Sequence, residues 1–330
     1  MKVLFVGGTG LISTACTALA AERGVELYLL NRGMRPATVP AGVKVIAGDI
    51  RQPAEVEKTL QGMTFDTVVD WICYTREQVE TDLRLFAGKT GQYIFISSAS
   101  AYQKPPSHYL ITESTPLANP YWEYSRNKIA CEERLMQEYR ERGFPAVIVR
   151  PSLTYGDPMI PMSFGPWGKP WTLVERMRKG LPVIVHGDGS SLWVTTHNTD
   201  FAKGFVGLLG NVQAIGNAFH ITTDEVLTWD QHYQVVGKAI GVEPKIVHVA
   251  TDQIARAFPG EAGGLLGDKT WSVVFDNTKI KRFVPGFVAT TSLLEGVGRS
   301  IRWFEADAAR RGVDEDFNRK TAELVDRYGR

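Results

Sequence analysis

A tyrosine and a lysine four residues apart, Tyr124 and Lys128, form the pair of side chains in this sequence that is best suited to proton transfer. They lie in a segment with helical spacing, predicted to span residues 121–142. Residues four apart lie on one face of a helix, about one turn from each other. Because a neighbouring ammonium favours the phenolate, we expect Lys128 to lower the pKa of Tyr124. Such a tyrosine could act as a general acid or base near neutral pH. The alternative is an ordinary surface pair.

A glycine-rich turn near the N-terminus is the second chemical feature. The apolar run of residues 2–6 is followed by a turn with the sequence GGTGLIS, and a helical pattern then continues to about residue 23. Glycines between a strand and a helix let the backbone approach a pyrophosphate at the helix N-terminus. The turn therefore predicts a dinucleotide site, and a plain turn is the alternative. Its expected contacts are Gly7, Thr9, Gly10, Leu11 and Ile12.

The residues that follow the second predicted strand, 25–30, bear on the type of dinucleotide. NAD sites usually carry an Asp or Glu at this strand end, where it binds the ribose hydroxyls. Here Asn31 is neutral and Arg32 follows it. A carboxylate would repel a 2′-phosphate, whereas a guanidinium can pair with one through two hydrogen bonds. The sequence therefore favours NADP over NAD, unless Arg32 is simply a solvated loop charge.

Strand and helix patterns alternate along the first 150 residues. Apolar runs predict strands at 2–6, 25–30, 43–47, 67–70, 93–96 and 146–150, and helices at 53–60, 76–87 and 121–142 lie between them. This alternation predicts an α/β fold with a Rossmann-like, doubly wound parallel sheet. Ligands bind such sheets at the carboxyl ends of the strands. The serine-rich segment SSASAY, residues 97–102, follows the fifth strand and is expected at that edge.

The alternation weakens after residue 150. Helices are predicted at 171–179, 199–209, 228–240, 292–309 and 315–328, with one strand at 183–185. We expect an NAD(P)-binding Rossmann domain at 1–150 and a smaller substrate-binding lobe at 151–330. The lobe is expected to interleave with the first domain and to contribute to its sheet.

Composition limits the class of protein. With 44% hydrophobic and 22% charged residues, the chain is typical of a soluble globular protein. A net charge of +1 gives no general attraction to nucleic acid or to anionic membranes. The sequence shows neither an apolar run long enough to span a bilayer nor a signal-peptide core, so a cytoplasmic location without membrane association is expected. Three cysteines and six histidines lack metal-site spacing, and no metal is predicted.

Five motifs, taken in order, resemble those of the extended short-chain dehydrogenase/reductase superfamily, and within it the NAD-dependent epimerase/dehydratase family. The motifs are GGTGLIS, GDI, SSASAY, YSRNK and RPSLTYG. The resemblance covers about the first two hundred residues. It implies hydride transfer between a nicotinamide cofactor and a carbinol or carbonyl carbon of a sugar-like or other small substrate.

The resemblance also implies roles for single residues at the cofactor. Gly7, Gly10 and Ser13 match the family's phosphate loop, with Ser13 where a third glycine is usual. Asp49 and Ile50 match the pair that flanks the adenine.

The resemblance implies a catalytic triad as well. Ser98 matches the serine or threonine that hydrogen-bonds the reacting oxygen, and Tyr124 matches the general acid/base. Lys128 matches its partner, which also holds the nicotinamide ribose. Pro151, in the RPSLTYG motif, is a further expected cofactor contact.

Departures from the family pattern bear on the reaction and the substrate. Sugar-nucleotide 4,6-dehydratases carry an Asp-Glu pair after the catalytic Thr, where this chain has Ala99 and Ser100. Dehydration by that route therefore lacks its acid and base. Where sugar-nucleotide members have an arginine for the diphosphate, this chain has Trp193. A substrate without a nucleoside diphosphate is favoured, and Asn31-Arg32 resembles the NADP-preferring members.

Three residues are predicted to contact the substrate. Ser100 follows the catalytic serine, and Trp193 could stack on a sugar or aromatic face. His197 lies near the family's histidine in the same segment. For His197 a hydrogen-bonded structural histidine is the favoured alternative.

Three functions are compatible with these motifs. The favoured one is an NAD(P)-dependent oxidoreductase, and the second is a sugar 4-epimerase, which returns the hydride to the opposite face. The third is an RNA-binding or cofactor-sensing protein such as the chloroplast stem-loop-binding group, whose members generally degrade the triad retained here. The resemblance implies a homodimer that includes the tyrosine helix. Its residues Ile129, Leu135 and Met136 are equally explained by packing against the chain's own sheet.

Overall fold

A computed structural model describes residues 1–33 and 39–328, which contain fifteen strands and twelve α-helices joined by turns and loops. The strands are β1 Lys2–Val6, β2 Glu26–Asn31, β3 Lys44–Ala47, β4 Thr67–Asp70, β5 Tyr93–Ile96, β6 Leu110–Ile111, β7 Ala146–Arg150, β8 Leu153–Tyr155, β9 Val183–His186, β10 Leu192–Trp193, β11 Thr195–His197, β12 Ala218–His220, β13 Leu227–Thr228, β14 Ile246–Val249 and β15 Val274–Phe275. The helices are α1 Ser13–Glu22, α2 Pro53–Thr59, α3 Arg76–Phe86, α4 Glu123–Arg142, α5 Trp171–Arg178, α6 Asn198–Leu208, α7 Trp229–Ile240, α8 Thr251–Ala257, α9 Ala262–Gly264, α10 Thr278–Phe283, α11 Leu293–Glu305 and α12 Glu315–Tyr328. In this part of the chain no helix has the length and apolar character needed to cross a bilayer.

Seven strands form one parallel sheet in the order β12-β7-β5-β4-β1-β2-β3. Helices α1 and α6 cover one face with a core that includes Cys16, Phe201 and Phe205. Helices α2, α3 and α4 cover the other face. Strands covered on both faces are apolar throughout, which explains why β4 and β5 are buried at every position. The predicted Rossmann-like, doubly wound sheet is confirmed.

The two halves of the chain are interleaved. Strand β12, from the second half, adds to the edge of the main sheet by pairing with β7. Strand β15 pairs with β6, which lies before residue 150. The side-chain amide of Asn198, at the start of α6, donates to the carbonyl of Leu11 in the glycine turn (2.8 Å). Residues from the C-terminal lobe therefore help to hold the loop that follows β1.

Helix α4 carries the Tyr124–Lys128 pair and begins two residues later than predicted. The side-chain oxygen of Asn119 accepts hydrogen bonds from the backbone amides of Tyr121 and Trp122 (3.1 Å each). These residues therefore form a turn in front of the helix. The helix ends at Gly143, whose φ of 70° is a left-handed conformation that suits glycine.

A buried ion pair joins α4 to the central sheet. The carboxylate of Glu132 accepts hydrogen bonds from Arg150 Nε (2.9 Å) and Nη2 (2.5 Å), at the end of β7. It also accepts one from the hydroxyl of Ser97, directly after β5 (2.5 Å). The side chains of Arg150 and Glu132 are only 6% and 3% exposed. Three elements that carry the predicted site are thereby fixed to one another.

Candidate active site

The glycine turn connects β1 to α1 and includes all five predicted phosphate-loop contacts, residues 7–12. Gly7 and Gly8 have φ values of +99° and +93°, which L side chains rarely adopt. A Cβ added to Gly8 would lie 2.7 Å from Leu29 Cδ2. Sequence analysis did not single out Gly8, although its conformation and its close packing both require glycine. The turn can therefore form only with glycine at these positions.

Ser13 explains why the third glycine of the usual pattern is not needed. Its hydroxyl oxygen accepts a hydrogen bond from the amide of Gly10 (2.8 Å), and the side chain is buried. Successive glycines with positive φ, placed before a helix N-terminus, form a backbone cradle suited to phosphate. The residues present thus fit the pyrophosphate of a dinucleotide.

The segments that follow β2 and β3 place two arginines, Arg32 and Arg51, near the carboxylate of Asp49. Asn31 ends β2 and its side-chain oxygen accepts the amide hydrogen of Gly33 (2.9 Å), while Arg32 is exposed. Arg51 binds the carboxylate of Asp49 through Nε (2.9 Å) and Nη2 (2.5 Å), next to the partly buried Ile50. Hydrogen bonding to Arg51 holds the pKa of Asp49 down at about 2, with a smaller contribution from the charge of Arg32. Arg51 was not identified from the sequence.

Tyr124 lies at the start of α4, and its neighbour Ser98 lies just beyond β5. Burial of the phenol, with smaller contributions from the neighbouring Tyr74 and Asp268, raises the pKa of Tyr124 to about 12. The hydroxyl of Ser98 acts in the opposite direction and lowers the pKa of Tyr124, by less than burial raises it. The expectation that Lys128 lowers this pKa is therefore wrong, because desolvation of the phenolate is the larger effect.

Lys128 is anchored to the sheet and its ammonium does not bind the phenol oxygen. Its Nζ donates to the backbone carbonyls of Cys73 (2.6 Å) and Ile96 (2.7 Å). It lies 5.8 Å from the centroid of the Tyr124 ring and 4.5 Å from that of Tyr74. Burial lowers the pKa of Lys128 to about 8. An ammonium has three donors, so these two carbonyls leave one for a ligand.

A chain of serine hydroxyls lies behind Ser98. Ser125 Oγ donates to Ser100 Oγ (2.7 Å), which lies 2.9 Å from Ser98 Oγ. Ser100 and Ser125 are buried, at 2% and 0% exposure. Ser100, a predicted substrate contact, therefore lies among hydroxyls rather than on an open surface. Its carbonyl accepts the side-chain amide of Asn119 (2.8 Å), which also binds the carbonyl of Gly267 (2.7 Å). Sequence analysis missed Ser125 and Asn119.

Pro151 holds the turn that contains Ser100. It follows β7, and its carbonyl accepts the amide hydrogen of Ala99 (2.8 Å). Its predicted cofactor contact stays a prediction.

The structure does not bring Trp193 to the triad. Its indole is 1% exposed and stacks on Trp229 with a centroid separation of 5.4 Å, inside the core of the C-terminal lobe. The predicted stacking on a substrate finds no support in this position, and the reason is that a second indole already covers the ring.

His197 caps a helix. Its Nδ1 lies 2.8 Å from the hydroxyl of Thr199 in the first turn of α6, and its ring packs edge-on against Tyr155. Burial lowers the pKa of His197, and its Nε2 has no hydrogen-bond partner among the described residues. The contacts present agree with the structural alternative, and the substrate contact stays a prediction.

Tyr124 opens onto a pocket of about 590 Å³ with aromatic walls. Its lining includes Tyr74, Trp122, Asn127 and Gly263. The Trp122 and Tyr124 rings are 4.8 Å apart. A Cβ on Gly263 would lie 2.3 Å from Trp122 Cδ1, so the backbone after α8 packs directly on the indole. Tyr124 is therefore part of the wall of an open pocket whose volume is sufficient for a small ring compound.

Comparison with protein families gives one match that covers most of the chain. The model described as the NAD dependent epimerase/dehydratase family matches residues 3–222.

Two curated relatives have different described functions. The 2′-dehydrokanamycin reductase of Streptomyces kanamyceticus is 26% identical over 290 residues, which are 87% of this chain and 80% of that protein. The chloroplast stem-loop binding protein of 41 kDa b from Arabidopsis thaliana is 29% identical over 277 residues, which are 78% of this chain and 69% of that protein.

A solved structure agrees with the fold. An epimerase from Methanothermobacter thermautotrophicus superposes with a TM-score of 0.76 over 93% of each chain, at 16% identity. At this level of identity the similarity supports the fold alone.

Proposed function

Because the chain belongs to the NAD-dependent epimerase/dehydratase family, whose members include oxidoreductases and epimerases, we propose that it transfers a hydride between a nicotinamide cofactor and a carbinol or carbonyl carbon. The observation that carries the proposal is the position of Tyr124. Its side chain neighbours Ser98 and borders an aromatic pocket at the carboxyl edge of the sheet.

The proposed roles follow from the geometry. When bound, the cofactor supplies or accepts the hydride. In the reductive direction Tyr124 donates its proton to the carbonyl oxygen, so the substrate gains a hydride on carbon and a proton on oxygen and becomes an alcohol. Ser98 orients that oxygen through its hydroxyl. Lys128, with one donor beyond the carbonyls of Cys73 and Ile96, holds a ribose hydroxyl.

We propose a small ring compound, such as a sugar, as the substrate. The aromatic side chains of Trp122 and Tyr74 line the pocket and offer apolar contacts to a ring compound. The relative from Streptomyces kanamyceticus is described as a reductase, which supports net reduction over epimerisation. Trp193 replaces the arginine expected for a diphosphate, and its core position gives no other diphosphate contact.

The division of labour along the chain is also part of the proposal. Residues 1–150 would bind the dinucleotide, and residues 151–330 would complete the substrate pocket, to which Gly260 and Gly263 contribute. The predicted homodimer would use the outer face of α4, where Ile129 borders a groove of about 550 Å³. Leu135 is buried in the chain's own core, which removes it from such a contact. The sedimentation coefficient, measured by sedimentation velocity, tests whether the protein is a dimer. The cytoplasmic location stays a prediction.

Product analysis tests the reaction. Ketosugars, other cyclic ketones and nucleotide sugars would each be offered with NADH and NADPH while the absorbance of the reduced cofactor is followed. Consumption of reduced cofactor together with formation of an alcohol supports the proposal. A stereoisomer formed without net change in cofactor would mean a 4-epimerase.

The similarity to a stem-loop-binding protein makes RNA binding the competing function. A stable complex between the protein and a stem-loop RNA, together with no reduction of any offered substrate, would favour RNA binding.

The cofactor type is tested at Arg32. Replacing Arg32 with Asp should weaken NADPH binding by about 10- to 100-fold, because a charged hydrogen bond to the 2′-phosphate is lost and repulsion is added. NADH binding should change little, and quenching of protein fluorescence on titration measures both affinities. The matched control is Arg23→Asp, the same charge change at the C-terminal end of α1. Equal losses for both cofactors would make Arg32 a bystander.

The raised pKa of Tyr124 predicts different pH dependences for the two directions of the reaction. Reduction needs the protonated phenol, which is already present at neutral pH, so its rate should be flat between about pH 6 and 7.5. Oxidation needs the phenolate, so its rate should rise about tenfold per pH unit in the same range. Steady-state rates in both directions provide the measurement. A flat oxidation profile would contradict a raised pKa for Tyr124.

A further inference from the structure

Three serine hydroxyls behind the phenol are joined in a row of hydrogen bonds that ends at Ser98, a neighbour of Tyr124. Ser125 Oγ donates to Ser100 Oγ at 2.7 Å, and Ser100 Oγ lies 2.9 Å from Ser98 Oγ. The backbone amide of Ser100 also donates to Ser98 Oγ (3.2 Å). Ser98 in turn is close enough to Tyr124 to lower the pKa of its phenol. This row of hydroxyls connects Ser125 on α4 to Ser98, which lies in the turn after β5 and next to Tyr124 on the same helix.

The hydroxyl protons of the three serines point in one direction, from Ser125 through Ser100 to Ser98. Each hydroxyl carries one proton and two acceptor positions. Because Ser125 donates to Ser100, the remaining acceptor for the Ser100 proton among these hydroxyls is Ser98 Oγ. Ser98 then accepts from both the amide and the hydroxyl of Ser100. Its own proton is left to point at Tyr124 or at the reacting oxygen.

We propose that Ser125 and Ser100 are positioning residues that make Ser98 a hydrogen-bond donor to the reacting centre. This inference rests on the proposed function, since it assigns a purpose to residues that support the triad. No proton moves along the chain, which acts only by fixing the orientation of hydroxyl groups. Leaving a buried hydroxyl without a partner costs free energy, and reversing one of these hydrogen bonds would do so. The hydroxyl groups therefore keep this orientation.

The surroundings make this direction important for catalysis. The phenol of Tyr124 faces Tyr74 from the segment after β4 and Asp268 from the C-terminal lobe, and both oppose its ionisation. Lys128, from its own helix, is committed to two backbone carbonyls. Among these neighbours, Ser98 is the one whose side chain favours the phenolate. Without Ser125, Ser98 can turn its proton towards Ser100 instead.

The test compares Ser125→Ala with Ser98→Ala and with the double variant in the full-length enzyme. Ser125→Ala should lower kcat by about tenfold, less than the 10²- to 10³-fold that loss of a direct transition-state donor costs. The KM for substrate should stay unchanged. Between about pH 6 and 7.5 the oxidative rate should fall by about tenfold more than the reductive rate, because a weakened interaction with the phenolate leaves less of the phenol ionised at any given pH. In the Ser98→Ala background, Ser125→Ala should have no further effect.

Ser163→Ala provides the matched control. Ser163 is also buried (2% exposed), and its hydroxyl lies 3.1 Å from the hydroxyl of Tyr233 in the C-terminal lobe. It should keep wild-type kcat and pH profile while showing a similar change in urea unfolding.

The possible outcomes separate this inference from the proposed function. Wild-type kcat in Ser98→Ala would contradict the catalytic assignment and the inference together. A large loss in Ser98→Ala, with no loss in Ser125→Ala beyond that of Ser163→Ala, would overturn the inference alone. Full additivity of the Ser98 and Ser125 losses would also overturn it, because Ser125 would then act independently of Ser98.

Discussion

Replacing Tyr124 with phenylalanine should lower turnover by about 10²- to 10⁴-fold, the range that a positioned general acid or base contributes. The substitution keeps the ring that packs on Trp122 at 4.8 Å and removes only the hydroxyl. Cofactor affinity should stay within a few-fold, because the proposed cofactor contacts are the glycine turn and Lys128. Steady-state turnover and cofactor titration of the same preparation measure the two effects.

The control for this variant is Tyr139→Phe on the same helix. Tyr139 lies about 22 Å further along α4, at 1.5 Å per residue, and its hydroxyl packs near Gly216 on the far side of the fold. It should retain wild-type turnover. If Tyr124→Phe also retained it, Tyr124 would not be the acid/base and the proposed chemistry would need another proton donor.

Replacing Glu132 with alanine should destabilise the protein by about 3 to 5 kcal/mol, because it leaves a buried guanidinium without its counter-charge. Arg150 would lose its hydrogen bonds to the carboxylate while remaining in an environment where its side chain is 6% exposed. Ser97 would lose its acceptor as well. The free energy of unfolding in urea, compared with that of the wild type, is the measurement.

An exposed ion pair provides the contrast. Arg319 on α12 binds Asp316 and Glu323, and its side chain is 59% exposed. Arg319→Ala should change the unfolding free energy by no more than about 0.5 kcal/mol. A similarly small change in Glu132→Ala would mean that water or a rearranged side chain compensates Arg150. The buried pair would then not be what fixes α4 to β5 and β7.

The positions of the strands could be predicted closely because burial on both faces requires apolar residues along the whole strand. Strands β4 and β5 are observed at the predicted positions, 67–70 and 93–96. A parallel strand covered on both faces is a short apolar run bounded by polar or glycine residues. The glycine turn and the Tyr124–Lys128 pair are equally local, since each depends on residues within one turn of the chain. Family membership followed from the order of such local motifs and is confirmed by the family match.

The surroundings of the site depend on residues that are distant in sequence. Gly263 packs on Trp122, and Asn119 joins Ser100 to Gly267, although no local pattern connects these positions. The hydroxyl of Ser125 is the exception among the missed residues. Its neighbour Tyr124 had already been identified, and a buried serine on the sheet-facing side of α4 could have been noticed.

The sequence by itself determined the alternation of strands and helices and the turn that only glycine can form, and it supplied the groups that we propose to move a proton. The tertiary structure alone decided the ionisation of those groups. Spacing on a helix places Lys128 one turn from Tyr124, but it does not reveal that backbone carbonyls hold the ammonium. The pKa of a phenol depends on how much water surrounds it and on the groups nearby, and for Tyr124 burial is the largest effect, followed by the proximity of Tyr74. Burial is a property of the assembled fold, and so the direction of this pKa shift could not be predicted from the sequence.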